Sequence, residues 1–240
     1  MANSFRNDTY RSAKTLAYIV MALFGGIALC SAFYIVMSFV MLAFPDTEMS
    51  LGDGDSINIW FGLIGLASIL EVFLRLAVIV FFLIWEYRSF NNLSALRARN
   101  LEFSPGWAVG WWFIPFANLI KPFQAIRELW NESDPDFDEE TGFLQTAAGT
   151  PELIGFWWAA FLISGFVGRI TDKLVSAGGE PSQYFPVFLL IGSILQLAAS
   201  ILIILIVKGV TERQERRFDK IAAGGQFAPP PPAFYQDRQT

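Results

Sequence analysis

Four apolar runs, each long enough to cross a hydrocarbon core, limit what this chain can fold into more than any other feature. They cover about Thr15–Phe44, Ile57–Trp85, Leu153–Ile170 and Tyr184–Val207. At about 1.5 Å per residue, roughly 20 apolar residues suffice for a core of about 30 Å. Water is absent there, so each run must satisfy its own backbone hydrogen bonds, and a helix does so within one segment. The alternating pattern of a membrane barrel is missing. The expected fold class is all-α: a polytopic helical membrane bundle of four transmembrane helices. Composition agrees, with 54% hydrophobic and only 16% charged residues, against roughly 25% charged in soluble domains. The 24 Phe and 8 Trp suit lipid-facing and interfacial positions.

Arg6, Arg11 and Lys14 precede the first run, as they would in a signal peptide. The run is much longer than the roughly 7–15 residues of an h-region, and Leu29 occupies the small-residue position of a lipoprotein box ending at Cys30. An uncleaved first helix is expected.

A fifth apolar stretch, Phe103–Ile120, contains Pro105, Gly106, Gly110 and Pro115. Basic residues decide whether it crosses. With four crossings, 14 Lys and Arg lie on the side of the termini and 2 on the other; a fifth crossing gives 8 and 8. The positive-inside rule favours four crossings, both termini in the cytoplasm, and one re-entrant or interfacial Pro-broken helical segment on that side. The resulting layout is a cytoplasmic tail over 1–14, a membrane domain over 15–210, and a charged then Pro-rich cytoplasmic tail over 211–240. The expected location is a cell membrane, crossed several times.

Several chemistries are excluded. Histidine is absent, which removes Ser-His and Cys-His nucleophiles, His-ligated zinc and His-ligated haem. One cysteine, Cys30, allows no intrachain disulfide. The acidic run from Asp134 has Glu139 and Gln145 where an EF-hand needs Gly and an acidic residue. It reads as a solvated loop, and no metal or cofactor is expected. Glu71-x-x-x-Arg75 shares a spacing with an intramembrane protease motif, but Leu70 replaces its second Glu and its histidines are missing.

Between the second and fifth stretches, Phe90, Leu93 and Leu96 recur at three-residue steps among Arg88, Arg97 and Arg99. A helix continuing from the membrane, or lying along its inner face, fits this. Ser104-Pro105 is a helix start, Pro115 is expected to break that helix, and Pro122 opens an amphipathic segment ending before Asn131. Thr211–Lys220 reads as a charged helix. From Ala222 the Gly- and Pro-rich end, with Pro229–Pro232, reads as disordered.

The residues from Trp85 to Trp130 resemble a named family of bacterial membrane proteins, that of the domain of unknown function 4328. The resemblance rests on Trp85-x-Tyr87-Arg88, Asn92-Leu93, and Ser104-Pro105-Gly106-Trp107-Ala108-Val109-Gly110-Trp111-Trp112-Phe113-Ile114-Pro115. It continues through Ala117-Asn118, Pro122-Phe123-Gln124, Glu128-Leu129-Trp130, Asp134-Pro135 and Trp157-Trp158. It implies a multi-span membrane domain in a bacterial cytoplasmic membrane and brings no activity with it.

Two candidate sites follow. Glu71 and Arg75 sit centrally in the second span, where a charge costs about 2.5–3.5 kcal/mol on insertion scales. Their spacing lets them pair, as a helix anchor or as an ion or substrate site. Gln196 in the fourth span, flanked by Gly192 and Ser200, is expected to meet them, while Ala160, Ser164 and Gly168 form a small-residue packing stripe. The second candidate is the broken segment itself: Trp107, Trp111, Trp112, Pro115 and Asn118. Freed carbonyls there are available to Asn118 or a ligand, unless the tryptophans simply anchor a wedge at headgroup depth. The expected function is a non-enzymatic membrane scaffold or accessory protein. It acts through the lipid bilayer and a membrane or cytoplasmic protein partner, not nucleic acid, with its oligomeric state left open. The alternative is a small transporter or channel component using the broken segment and Glu71–Arg75.

Overall fold

The computed structural model describes residues 9–44, 59–98, 101–135, 152–176 and 183–226. Six α-helices account for most of them: α1 (Lys14–Ala43), α2 (Ile59–Ala95), α3 (Pro105–Gly110), α4 (Lys121–Glu132), α5 (Glu152–Ser176) and α6 (Phe185–Gln226). Helices α1, α2, α5 and α6 are each long and apolar enough to cross a membrane. The Pro-rich end beyond residue 226, and the acidic loop beyond residue 135, lie outside the described residues.

Helix α6 is the spine. It packs along both α1 and α5, α2 leans on α1, and α2 and α5 do not pack along each other. Small residues allow the α5–α6 approach: a Cβ placed on Gly192 would stand 3.2 Å from Val167, and Ala160 and Ser164 are buried. Tyr10 Oη donates to Glu215 at 2.9 Å and Lys14 Nζ pairs with Glu215 at 3.1 Å. The start of α1 and the end of α6 therefore share one end of the bundle. Arg88, Arg97, Lys121, Arg127, Arg213 and Arg217 belong to the same end, which we call the basic end.

Packing is graded along the bundle axis. Trp85, Phe90, Leu93, Leu96, Ile126 and Leu129 have no exposed surface, and all lie at or beyond the basic end of the spans. At the other end the buried apolar cluster is small: Cys30, Tyr34, Met37 and Ile64. Helix α2, at 37 residues, is about 55 Å long, so it outruns the bilayer. Trp85 marks where the crossing part ends, because its Nε1 donates to Thr211 Oγ1 at 3.2 Å, four residues past the end of the apolar run of α6. Its continuation buries Phe90, Leu93 and Leu96, as their three-residue recurrence predicts.

The segment between α2 and α4 enters and returns at the basic end. Ser104 caps α3 by accepting from the Trp107 N–H, with Pro105 in the first turn. The helix does not run on to Pro115 as the sequence suggests. It ends at Gly110 and tightens to a 3₁₀ turn at Trp111–Phe113, and Ile114 is extended, the conformation favoured before proline. Phe116 follows at φ 65°, and a second 3₁₀ turn spans Ala117–Leu119. Helix α4 then begins at Lys121 and runs past the expected stop to Glu132. The residues after it are not simply solvated: Ser133 is buried, and Asp134 pairs with Arg213 at 3.3 Å. Helix α6 likewise passes residue 211 without interruption and continues beyond Ala222 to Gln226. Its buried Gln214 and Arg217 make the start of the charged tail part of the folded core.

Candidate functional site

One stripe of α2 carries Glu71, Arg75, Phe82 and Glu86, since steps of four, seven and four residues return to the same helix flank. Arg75 Nε donates to Glu71 Oε1 at 2.9 Å, and its Nη2 reaches Gln196 Oε1 at 3.2 Å. Ser164 Oγ lies 3.5 Å from the same Gln196 oxygen and Gln196 Nε2 lies 3.5 Å from Ser200 Oγ. The meeting of Gln196 with the charged pair, expected from sequence, is present, and α5 joins it through Ser164. Gln196 is eleven residues from both Phe185 and Val207, about 16 Å each way, so the array lies at mid-depth. The Arg75 side chain is 50% exposed and that of Glu71 13%. The Arg75 guanidinium reaches α6 beside Ser164 of α5, where α2 and α5 leave a gap between them, and half of the side chain stays exposed.

The broken segment closes that gap toward the basic end. The Trp112 ring lies edge-on to Phe82 of α2 at 5.7 Å and to Trp158 and Phe161 of α5 at 5.9 and 6.3 Å. It bridges two helices that otherwise do not pack. Its Nε1 donates to Glu86 Oε2 at 2.9 Å. Trp158 Nε1 donates to Leu119 O at 2.9 Å, so α5 satisfies one of the carbonyls freed around Pro115. Another, Ile114 O, is taken by the backbone N–H of Asn118 at 3.0 Å; the main chain of Asn118 does the work proposed for its side chain. The three tryptophans part company. Trp107 is exposed and tilted against Trp111, ring centroids 5.0 Å apart, as an interfacial anchor would be, whereas Trp112 points inward as a plug.

Helix α4 holds this wedge from below. The Glu128 carboxylate accepts from the N–H groups of both Glu102 and Phe103, the latter at 3.1 Å. Lys121 pairs with Glu102 at 3.3 Å and lies over the Phe103 ring. Burial pushes the carboxyls of Glu128 and Glu132 above the usual range, opposed at Glu128 by those two N–H groups and at Glu132 by Arg217. Trp130 lies against Gly209 of α6 beneath the Arg213 guanidinium, which sits 4.3 Å from the ring centroid. A buried polar layer ties in the rest: Gln214 donates to Ser89 O at 2.9 Å and to Ser133 Oγ at 3.1 Å, and Asn92 exchanges two bonds with the Arg11 backbone.

Sequence reading missed Glu86, the variable position within Trp85-x-Tyr87-Arg88. It is fully buried. A signal was available, since it lies three helical turns beyond Arg75 on the same stripe. Gln214 and Arg217 fall in Thr211–Lys220, which reads as a charged helix past the apolar run, and nothing in that reading marks them as buried. Among the described residues no group of three or more Cys, Asp or Glu is placed to hold a metal ion.

The family described as the domain of unknown function DUF4328 matches residues 55–212, the interval from the start of α2 to the polar layer of α6. The chain belongs to that family. No curated protein and no solved structure matches it.

Proposed function

We propose, taking membership of this family as the premise, that the protein is a non-enzymatic accessory of a bacterial cytoplasmic membrane. It works by receiving a partner's transmembrane helix in the gap between α2 and α5. The observation that carries this reading is Arg75, half-exposed at mid-depth where a charge costs about 2.5–3.5 kcal/mol, in a gap that none of the described helices fills. Only 11% of the most apolar window of α2 is buried within the protein, against 28%, 28% and 33% for α1, α5 and α6. A partner helix presenting a hydrogen-bond acceptor at that depth would cover the guanidinium.

A photo-crosslinking residue at Ile79, one turn from Arg75 on the same flank, should yield one protein adduct of defined mass in native membranes. The same residue at Phe73, on the far face of α2, should label lipid. Lipid adducts alone at both positions would overturn the reading. The sidedness rests on the basic end facing the cytoplasm. Tags at Asp53 and at the C-terminus should be accessible from opposite sides, and finding them on the same side would refute it.

The transport reading is supported by one feature, the Trp112 plug beneath the Glu71–Arg75–Gln196 array. It requires that Glu71→Gln alter flux in reconstituted vesicles while the protein stays folded; unchanged flux across varied gradients would dismiss it.

A further inference from the structure

Glu86 is the least explained side chain in the molecule. It lies just past Trp85, has no exposed surface, and is hydrogen-bonded to one partner, the Trp112 N–H. Its other oxygen, Oε1, is buried without a partner, and so is the hydroxyl of Ser89 three residues along the same helix. A buried carboxylate needs a counter-charge or it becomes neutral, because desolvation disfavours the ion.

Cations of the basic end are engaged elsewhere. On α2 itself, Arg88 donates to Ser12 O. From α1, Lys14 pairs with Glu215, and from the start of α4, Lys121 pairs with Glu102. Arg127 lies over Phe123, Arg213 pairs with Asp134, and Arg217 donates to the backbone of Glu132 and Asp134. The acids of α4 face away: Glu128 holds the Glu102 and Phe103 N–H groups, and Glu132 faces Arg217. The wedge contributes only the indole.

We propose that Glu86 is a proton-binding site, and that the bound proton is what allows the Trp112 wedge to dock between α2 and α5. The proton adds to Oε1, converting carboxylate to carboxylic acid. Oε2 stays the acceptor for Trp112. Loss of the proton leaves a buried charge with a single hydrogen bond, which water can solvate only if the wedge lifts. The inference is independent of what occupies the gap above Trp112.

Difference infrared spectroscopy of the full-length protein in lipid tests it. At pH 7 the wild type should show a neutral carboxylic-acid band that Glu86→Gln lacks, unchanged when Na⁺ replaces choline. Trp112→Phe, which keeps a ring but removes the N–H, should move that band, and this assigns it even if Glu86→Gln fails to fold. No acid band in the wild type would overturn the proposal. So would a band indifferent to both substitutions, or one abolished by Na⁺, which would make the occupant a metal cation.

Discussion

The contact that seats α4 on the spine is crowded enough to give a sharp prediction. A Cβ at Gly209 would stand 2.5 and 2.6 Å from two carbons of the Trp130 ring, where ordinary contact needs about 3.5–4 Å. The rigid indole therefore has to move by about 1 Å. Overpacking of this kind costs about 1–3 kcal/mol. Displacing the ring also weakens its stacking under Arg213, worth about 0.5–1 kcal/mol when partly exposed. Opposing this, Gly→Ala inside a helix gains about 1 kcal/mol. The balance for Gly209→Ala is a loss of about 0.5–3 kcal/mol, concentrated where α4 docks. Hydrogen exchange in detergent or nanodiscs should show faster exchange over Lys121–Glu132, with α1 and α5 little changed. Adding Trp130→Leu should relieve the clash and restore much of the protection. A Gly209→Ala protein that melts higher than wild type, with α4 as protected as before, would mean that Trp130 is not wedged against α6.

Three further outcomes follow from the geometry. Glu71→Ala should destabilise the protein by about 2.5–3.5 kcal/mol, the scale for an unpaired mid-membrane charge, whereas Glu71→Ala with Arg75→Ala should recover much of that; equal melting of the two variants in nanodiscs would count against pairing as the role. Trp158→Phe removes the donor to Leu119 O and should cost about 0.5–1.5 kcal/mol, read as faster proteolysis between Ile114 and Lys121; an unchanged cleavage rate would mean that bond does not hold the break. Burial raises the Glu128 and Glu132 carboxyls above their unfolded values, so the folded state holds more protons from about pH 4.5 upward to their raised values. Stability should therefore fall as pH rises through that window and level off above it. Hydrogen exchange of α4, corrected for its intrinsic pH dependence, should show tighter docking at pH 5 than at pH 7.5; looser docking at pH 5 would reverse the sign.

Hydropathy and charge made the crossings legible because the bilayer imposes length and backbone satisfaction whatever the tertiary contacts. The same logic exposed Glu71, Arg75 and Gln196, since any polar side chain inside an apolar run stands out. Past the apolar run that contrast disappears. Glu86, Gln214 and Arg217 sit among other polar residues and look like solvated helix, yet they are buried because three helices and the returning segment converge on them. The wedge was legible as a break but not in its shape. Pro115 announces that a helix cannot pass, but the 3₁₀ tightening at Trp111 depends on Trp112 finding Glu86, Phe82 and Trp158, partners distributed over two other helices.

The uneven packing bears on where the protein can change shape. The basic end carries the large buried side chains, the polar layer and the contacts of α4, so rearrangement there breaks many interactions together. Toward the opposite end α1, α2 and α6 share one small buried cluster, and little of α2 is buried. Near the boundary α2 and α5 are joined by the Trp112 ring, held by one hydrogen bond to a buried acid, and by α4, which touches both. Movement of α2 away from α5 is therefore opposed, besides α4, by that ring and, at mid-depth, by the Arg75–Gln196 bond. Both restraints lie on the stripe that runs through Glu71, Arg75, Phe82 and Glu86. Whatever enters the gap, helix or solute, meets Arg75 and the wedge together, so occupancy at mid-depth and the docking of Trp112 are expected to respond to each other.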